Sequence, residues 1–234
     1  MENVRSVERA LELLDCFNAQ RNEIGLSELS RILKLPKATV LRLARTLESK
    51  GYLIQDVEKQ TYRLGPKVVS LSKEFLSNLD YRLIALPYMK ALRDKLEETV
   101  TLYILSGNQR LCVQRVESRH TLRQAVNIGD LLPLSKGSSG KLLVAFLNLE
   151  SKVDNIPPDQ LQEIREKGYA LSFEEREEGL SSVSAPIRNH KGEVIAALSV
   201  SGLAVRFSSD KINQFIEQLV STSKEISYQL GYLD

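Results

Sequence analysis

Three segments near the start of the chain carry hydrophobic residues at helical spacing. They predict helices at about residues 6–18, 27–35 and 36–50. Pro36 separates the second helix from the third, because proline disfavours helical backbone at the preceding residue and is tolerated where a helix starts. Gly51 suits the end of the third helix as its C-cap. Two short helices joined by a tight turn form a helix-turn-helix.

The residues that follow alternate between apolar and polar side chains. Residues 52–55 and 60–64 have the period of two that is typical of strands, and the polar residues 56–59 between them suit a turn. The pattern predicts a β-hairpin that follows the helix-turn-helix as a wing. We therefore expect residues 1–65 to form a winged helix-turn-helix domain, which ends at a turn-like Leu-Gly-Pro sequence.

The third predicted helix lies in a locally basic segment. Residues 31–50 contain six Lys or Arg and one Glu, whereas the whole chain has 32 Lys+Arg against 30 Asp+Glu. Such a run is either a solvated helix face or a surface for phosphates. A helix-turn-helix inserts its second helix into the major groove, N-terminus first, and the basic run favours this role over a protein-binding one. We expect DNA contacts from Lys37, Thr39, Arg42 and Arg45, and a weaker one from Lys59 in the wing.

Two further helical patterns follow, at residues 66–79 and 83–96. One winged helix reads only a short half-site, and apolar helices beside it commonly pair two copies on DNA. The alternative is that these apolar stripes pack only on the chain's own second domain. We expect a homodimer formed through this region, with a DNA-binding domain at 1–65, a linker helix at 66–80 and a second domain at 81–234.

The rest of the chain mixes strand and helix patterns. Strands are predicted at 100–105, 111–116, 122–126, 181–187 and 194–201, and helices at 138–149, 158–167 and 208–230. The mixture indicates an α+β domain in which helices flank a mainly antiparallel sheet.

Small hydroxyl side chains accumulate on one face of the predicted sheet. Alternation places Ser199 and Ser201 on the same face of the last strand, and Ser182 shares a face with Ser184 on the strand before it. Residues 136–141 open a helix whose free N–H groups favour an anion. These features either form a pocket for a small carboxylate or oxo acid, or merely let helices pack close to the sheet.

Catalytic and metal-binding patterns are weak. The GSSGK sequence at 137–141 lacks the first glycine and the final Ser or Thr of a phosphate-binding loop. Ser138 and Lys141 have the spacing found in acyl-transfer enzymes, but the companion motifs are missing. The two cysteines lie far apart, only two histidines occur, and the acidic run at 174–178 is typical of a solvated segment. We expect no enzyme activity, no cofactor and no metal.

The composition, with 42% hydrophobic and 26% charged residues, is that of a globular protein. No apolar run approaches the roughly 18–20 residues of a membrane-spanning helix. The first residues lead into a charged amphipathic pattern and not into a signal-peptide core. These features predict a cytoplasmic protein without a membrane partner.

Several longer motifs occur in a recognisable order and spacing from Val4 onward. They are SVERAL at 6–11, LSEL at 26–29, LPKATVLRL at 35–43, PL at 133–134, GK at 140–141, KGYA at 167–170, EE at 174–175, Gly179, VSAP at 183–186 and ALSVSG at 197–202. Together they make the chain resemble the IclR family of bacterial transcriptional regulators.

The resemblance implies a winged helix joined by a helical linker to a GAF-like effector domain. It also implies dimers, often assembled as dimers of dimers. We expect a repressor whose affinity for a palindromic or pseudo-palindromic operator is modulated by a small organic acid. Carried over position by position, the effector pocket comprises Thr121, Leu122, Ser138, Ser139, Ser172, Ser182, Ser199 and Ser201. Ser172 stands where the family frequently has Asp, and Ser182 where it frequently has Cys, so the ligand's identity does not transfer.

Overall fold

The computed structural model describes residues 4–18, 20–77, 80–121 and 125–233. Contacts between residues divide the chain into two compact units, Met1–Asn78 and Leu79–Asp234. The predicted α+β architecture is confirmed, with a winged helix-turn-helix in the first unit and an antiparallel sheet flanked by helices in the second. The division into a DNA-binding domain, a linker and an effector domain stays a prediction.

The first unit packs three helices against a small antiparallel sheet. The helices are α1 (Arg5–Leu14), α2 (Leu26–Leu33) and α3 (Lys37–Ser49), and the strands are β1 (Ile24–Gly25), β2 (Leu53–Asp56) and β3 (Thr61–Leu64). The sheet has the order β1-β3-β2, so the hairpin of β2 and β3 forms the wing. Its core is a single cluster of buried side chains that includes Leu13, Leu29, Val40, Leu53 and Tyr62. A further helix, α4, follows at Pro66–Ser77.

The turn between α2 and α3 is fixed by local hydrogen bonds. Lys34 ends α2 in the left-handed conformation, with φ of 53°. The Ser30 hydroxyl donates to the Leu35 carbonyl oxygen at 2.6 Å, and the Leu35 N–H donates back to the Ser30 carbonyl oxygen at 3.2 Å. Pro36 then precedes the first residue of α3, as its position in the sequence predicts. At the far end of α3, Gly51 takes a φ of 78° directly after the C-cap residue Lys50.

The second unit is built on a six-stranded antiparallel sheet. The strands are β4 (Thr99–Ser106), β5 (Gln109–Val116), β6 (Leu131–Pro133), β7 (Ala170–Phe173), β8 (Leu180–Arg188) and β9 (Val194–Leu203), in the spatial order β6-β5-β4-β9-β8-β7. The helices are α5 (Asp80–Leu96), α6 (Ser138–Phe146), α7 (Pro158–Lys167) and α8 (Ser209–Gln229), with short 3-10 turns at Glu150–Lys152 and Ala204–Arg206.

The two faces of this sheet are covered by different helices. Leu198 and Val200 of β9 belong to a core cluster with Met89 of α5 and Leu219 of α8. Ala197, which alternates with them, belongs to a second cluster formed with α6 and α7. The alternation predicted for the last strand is therefore confirmed, and its serines share the face on which α6 lies.

Several predicted boundaries were wrong. The first helix ends at Leu14 and not near residue 18, because the chain turns while Cys16 and Phe17 stay buried in the core. The strand predicted at 122–126 is not found at its described residues 125–126, its other residues lie outside the described part, and β6 begins later, at Leu131. The strand β7 was not predicted, and α6 ends at Phe146 rather than at residue 149.

Candidate functional site

Helix α3 exposes the cationic side chains that are expected to contact DNA. Val40, Ala44 and Leu47 are buried in the core, whereas Lys37, Arg42 and Arg45 are exposed and Thr39 is half-buried. Within the part of the chain that the structure describes, none of these three cations forms an ion pair.

Lys59 lies in the turn of the wing and is less available for contact with DNA than the cations of α3. Its Nζ lies 3.1 Å from a carboxylate oxygen of Glu23 and 3.9 Å from one of Asp56. The side chain remains 61% exposed. A contact between Lys59 and a DNA phosphate would therefore have to replace an existing ion pair.

A row of hydroxyl groups crosses three adjacent strands of the second unit. Ser172 of β7 is in register with Ser182 of β8, Ser182 is in register with Ser201 of β9, and Ser184 pairs in the same way with Ser199. Because cross-strand partners lie on the same face, the pairing brings these serines together beneath α6. Sequence periodicity predicted that Ser182 shares a face with Ser184 and Ser199 with Ser201, whereas Ser172 was expected from the family resemblance alone. The register shows that these serines are neighbours.

Helix α6 begins directly on this row. Ser138 is 1% exposed, and its Oγ lies 2.7 Å from the hydroxyl oxygens of both Ser182 and Ser184. Gly137 precedes the helix with a φ of 82°. The first turn of a helix presents N–H groups without helical partners, so a polar cavity here has donors from both the backbone and the hydroxyl row.

The hydroxyl groups line a small cavity, which we call the serine cavity. Its volume is about 20 Å³, and the six predicted serines all line it: Ser138, Ser139, Ser172, Ser182, Ser199 and Ser201. A cavity of this size holds about one water molecule, so an organic acid requires its walls to move. Thr121 is exposed and does not line the cavity, and Leu122 lies outside the described residues.

Arg110 also lines the serine cavity and was missed by the sequence interpretation. It is 2% exposed, and its guanidinium donates to the carbonyl oxygens of Pro133 and, at 2.8 Å, Lys136. The guanidinium carbon lies 5.5 Å from the centre of the Tyr103 ring. The available signal was alternation along β5: Leu111 and Val113 pack on the α5 side, so Arg110 belongs on the side of α6.

The acidic run after β7 was predicted to be solvated, and this prediction is wrong for Glu175. The carboxylate of Glu175 binds the ammonium group of Lys141, whose side chain is 3% exposed. It also accepts the Gly137 N–H at 3.3 Å, so it ties the loop after β7 to the start of α6. The neighbouring Arg176 lines the serine cavity and pairs with Glu177 at 3.2 Å.

Neither a membrane helix nor a metal centre emerges from the described residues. None of their helices combines the length and the apolar character needed to cross a bilayer. In the same part of the chain, no three or more His, Cys, Asp or Glu side chains are grouped so that they could hold a metal ion.

A winged helix-turn-helix with an exposed basic helix is typical of a DNA-binding transcriptional regulator, and this chain joins it to a second unit that encloses a polar cavity. Residues 6–57 match the family model "IclR helix-turn-helix domain". Residues 73–157 and 158–228 match "Bacterial transcriptional regulator IclR C-terminal". The chain belongs to the IclR family: it is a DNA-binding transcriptional regulator and not an enzyme.

Individual relatives are similar to this chain in sequence or structure over almost its whole length. The chain is 34% identical to the HTH-type transcriptional regulator XynR of Escherichia coli strain K12 in an alignment that covers 99% of each protein. A putative transcriptional regulator of Rhodococcus sp. RHA1 has a similar structure, with a TM-score of 0.83, 29% identity and coverage of 97% of this chain and 98% of that one. An IclR homolog of Microbacterium hydrocarbonoxydans, complexed with 4-hydroxybenzoate, shares the fold with a TM-score of 0.84 at 24% identity over 96% of this chain and 98% of that one.

Proposed function

We propose that the protein is a repressor that binds a palindromic operator and responds to a small organic acid in the serine cavity. The observation that carries the proposal is the convergence of six serines and a helix N-terminus on one cavity. Backbone N–H groups and hydroxyls are suitable donors for a carboxylate. The choice of repression follows relatives that are named transcriptional repressors, such as AllR of Salmonella typhimurium at 27% identity.

We assign the DNA contacts to the exposed side of α3. Arg42 and Arg45 are suited to guanine edges or phosphates, Lys37 to a phosphate, and Thr39 to either. Because these cations have no ion pair among the described residues, DNA does not have to displace an internal partner. Lys59 does have such a partner in Glu23, so we expect its contribution to be smaller.

We propose that the operator is bound by a homodimer, with a dimer of dimers as a further assembly. Apolar side chains that the chain leaves exposed support a second copy: Val4, Val7 and Leu11 around α1, and Val69 and Leu71 of α4. Each is at least half exposed. A twofold axis relating two winged helices would match a palindromic operator, because each copy of α3 then reads one half-site.

Fluorescence anisotropy tests the proposed DNA binding. The affinity for duplex from the region upstream of the gene is compared with the affinity for scrambled duplex at several salt concentrations. Lys37→Ala should weaken binding to both duplexes and reduce the slope of log affinity against log salt by about 1 for each phosphate that the variant no longer neutralises. Arg42→Ala should reduce the preference for operator if it reads a base. Lys211→Ala, which removes an exposed cation of α8, is the control. An unchanged slope in Lys37→Ala would contradict the assignment of α3.

The effector part is tested by adding a panel of small acids, including 4-hydroxybenzoate, to the same assay. The double variant Ser199→Val, Ser201→Val should bind the operator normally and lose the response to the acid that acts on the wild type. Ser106→Val, at the exposed end of β4, is the matched control. If the double variant keeps the full response, the serine cavity is not the effector site. A promoter-reporter measurement in cells lacking the protein gives the sign of regulation.

A further inference from the structure

Arg110 places a positive charge beneath the first turn of α6. Its Nη1 donates to two carbonyl oxygens, those of Pro133 and Lys136. Two glycines make room for the guanidinium. A Cβ at Gly140 would overlap Nη1, and a Cβ at Gly137 would lie 3.1 Å from Nη2. The glycines of the GSSGK sequence therefore admit a buried guanidinium to the wall of the serine cavity.

Arg110 has no carboxylate partner among the described residues, whereas the other cations nearby do. Lys141 is bound by Glu175, and Arg176 lies 3.2 Å from a carboxylate oxygen of Glu177. The two hydrogen bonds of Arg110 go to neutral carbonyl groups, and its buried Nε has no hydrogen-bond partner among the described residues. The wall of the cavity thus carries one positive charge that no anion of the described chain offsets.

The groups that shift the pKa of Arg110 are consistent with its lack of a carboxylate partner among the described residues. Burial lowers the pKa of Arg110 to about 10, the nearby Tyr103 opposes that shift, and Arg176 adds to it by repulsion. No carboxylate among the described residues contributes to this shift. The guanidinium is still charged at neutral pH, so its desolvation remains a cost until an anion approaches.

We propose that Arg110 sets the charge selectivity of the serine cavity, which takes a small monocarboxylate in preference to the matching amide or to a dicarboxylate. The inference rests on the proposed function for the site itself and adds the class of ligand. A carboxylate pairs with the guanidinium through charge-assisted hydrogen bonds, which an uncharged amide forms only weakly. A second carboxylate in the cavity would require a second free cation, and Lys141 and Arg176 are already paired.

The volume of the cavity limits the size of the ligand. About 20 Å³ accommodates one water molecule, so each additional atom requires displacement of the wall. The loop after β7 carries both Glu175 and Arg176, and it is held to α6 through the Lys141 ion pair. Small acids therefore enter at the lowest cost of rearrangement.

The first test uses the full-length wild type and needs no variant. Thermal unfolding is measured with potassium acetate, acetamide and potassium malonate, at ionic strength matched by potassium chloride, and with 4-hydroxybenzoate against 4-hydroxybenzamide. We expect the monocarboxylates to raise Tm with increasing concentration and the amides and malonate to raise it much less. The proposal is overturned if an amide or malonate stabilises as much as the monocarboxylate, or if no acid differs from its amide.

The second test assigns the preference to Arg110. Arg110→Met should lower the apparent affinity for the stabilising acid about 10- to 100-fold, as expected for the loss of a charged hydrogen-bond partner. Arg110→Lys, which keeps the charge, should retain part of the preference for acid over amide. Arg165→Met is the matched control, because Arg165 also donates to a backbone carbonyl, Ala145 O at 2.7 Å, but pairs with Glu150 and does not line the cavity. Equal affinities in Arg110→Met and wild type would overturn the proposal, and if Arg110→Met does not fold, Arg110→Lys and the first test decide it.

Measuring the operator affinity of wild type and Arg110→Met, with and without acid, distinguishes this inference from the proposed effector role. If the preference for acid depends on Arg110 but no acid alters operator affinity, the charge selectivity stands and the effector role fails. If an acid alters operator affinity equally in wild type and Arg110→Met, the effector role stands and the inference about Arg110 fails.

Discussion

Ser138 joins α6 to the sheet through hydroxyl groups. Its Oγ contacts the hydroxyls of Ser182 and Ser184, each at 2.7 Å, and the residue is almost completely buried. An alanine at this position would leave two sheet hydroxyls without this partner. Buried polar groups that lose a partner cost more than the net gain of forming the bond.

We predict that Ser138→Ala lowers the free energy of unfolding by about 1–3 kcal/mol, because the hydroxyls of Ser182 and Ser184 lose their partner. Urea unfolding followed by circular dichroism measures the change. Ser49→Ala is the control: Ser49 is exposed and its hydroxyl donates to the Thr46 carbonyl oxygen at 2.8 Å, so its removal should cost less than about 0.5 kcal/mol. Equal losses in the two variants would mean that the Ser138 contacts do not stabilise the fold.

Cys112 should be inert to thiol reagents while the protein is folded. It is completely buried, and burial raises the pKa of its thiol to about 12. The unfolded thiol titrates near about 8.5, so this group favours the folded state below that pH and destabilises it as the pH rises from about 8.5 towards 12. At pH 8, a disulfide reagent should modify Cys112 only at the rate of unfolding, with peptide mapping to identify the labelled cysteine. Rapid labelling under native conditions would contradict this.

The serines of the cavity were predictable, but Arg110 was not recognised. Strand alternation assigns Ser199 and Ser201 to one face of the last strand and aligns Ser182 with Ser184 on the strand before it. The resemblance to the family adds Ser138, Ser139 and Ser172 as pocket residues. Arg110 occurs in a hairpin whose turn is polar, where an arginine is ordinarily solvated. Alternation along β5 assigns Arg110 to the side of α6, but it does not show that the side chain is buried. That burial depends on the glycines at the start of a helix about thirty residues further along the chain.

At the scale of elements, α6 lies unusually close to its neighbours. Gly140 is within the helix, and a Cβ there would overlap the Leu134 carbonyl oxygen as well as the guanidinium of Arg110. Backbone atoms cannot rotate away as a side chain can. The helix therefore requires glycine at this position although alanine is the better helix former by about 1 kcal/mol.

We predict that Gly140→Ala destabilises the second unit by about 1–3 kcal/mol, because the steric overlap outweighs the gain in helix propensity. Displacement of α6 should also weaken the response to an acid that acts through the proposed effector site. Differential scanning calorimetry of the full chain measures the first effect and the operator assay the second. Gly25→Ala is the control, since its nearest contact would be an ordinary 3.8 Å from the Gln60 carbonyl oxygen. A stabilised Gly140→Ala protein would show that helix propensity dominates.

Elements with strong periodicity were predicted well, and those fixed by distant contacts were not. The strands β8 and β9 and the hairpin β4–β5 follow from alternation and polar turns. By contrast, β7 has four residues, and its place depends on pairing with β8. The apolar spacing of α1 continues to Phe17, but the helix ends at Leu14. Cys16 and Phe17 are buried in the core by the turn that follows the helix, so their apolar character does not require helical backbone.

At the scale of the whole molecule, the exposed apolar residues of α1 require explanation. Val4 at its N-cap, and Val7 and Leu11 within it, are 66, 56 and 56% exposed, and their spacing of three and four residues places them on one face. A helix with such a face ordinarily packs it against another element. A second copy of the chain is the partner consistent with two half-sites on a palindromic operator.

We predict that Val7→Glu dissociates the proposed dimer without unfolding either unit. In a twofold interface each substitution occurs twice, so two carboxylates are desolvated, and the dimer dissociation constant should rise at least about tenfold. Sedimentation equilibrium measures that constant, and the thermal midpoint should stay near that of the wild type because Val7 is already exposed. Val205→Glu places the same charge on an 84% exposed valine of the second unit and serves as the control. Operator affinity should fall in Val7→Glu towards that of a single half-site, since the two recognition helices no longer bind as one unit. A variant that sediments as the wild type would exclude α1 from the interface and leave the exposed residues of α4 as the remaining candidates.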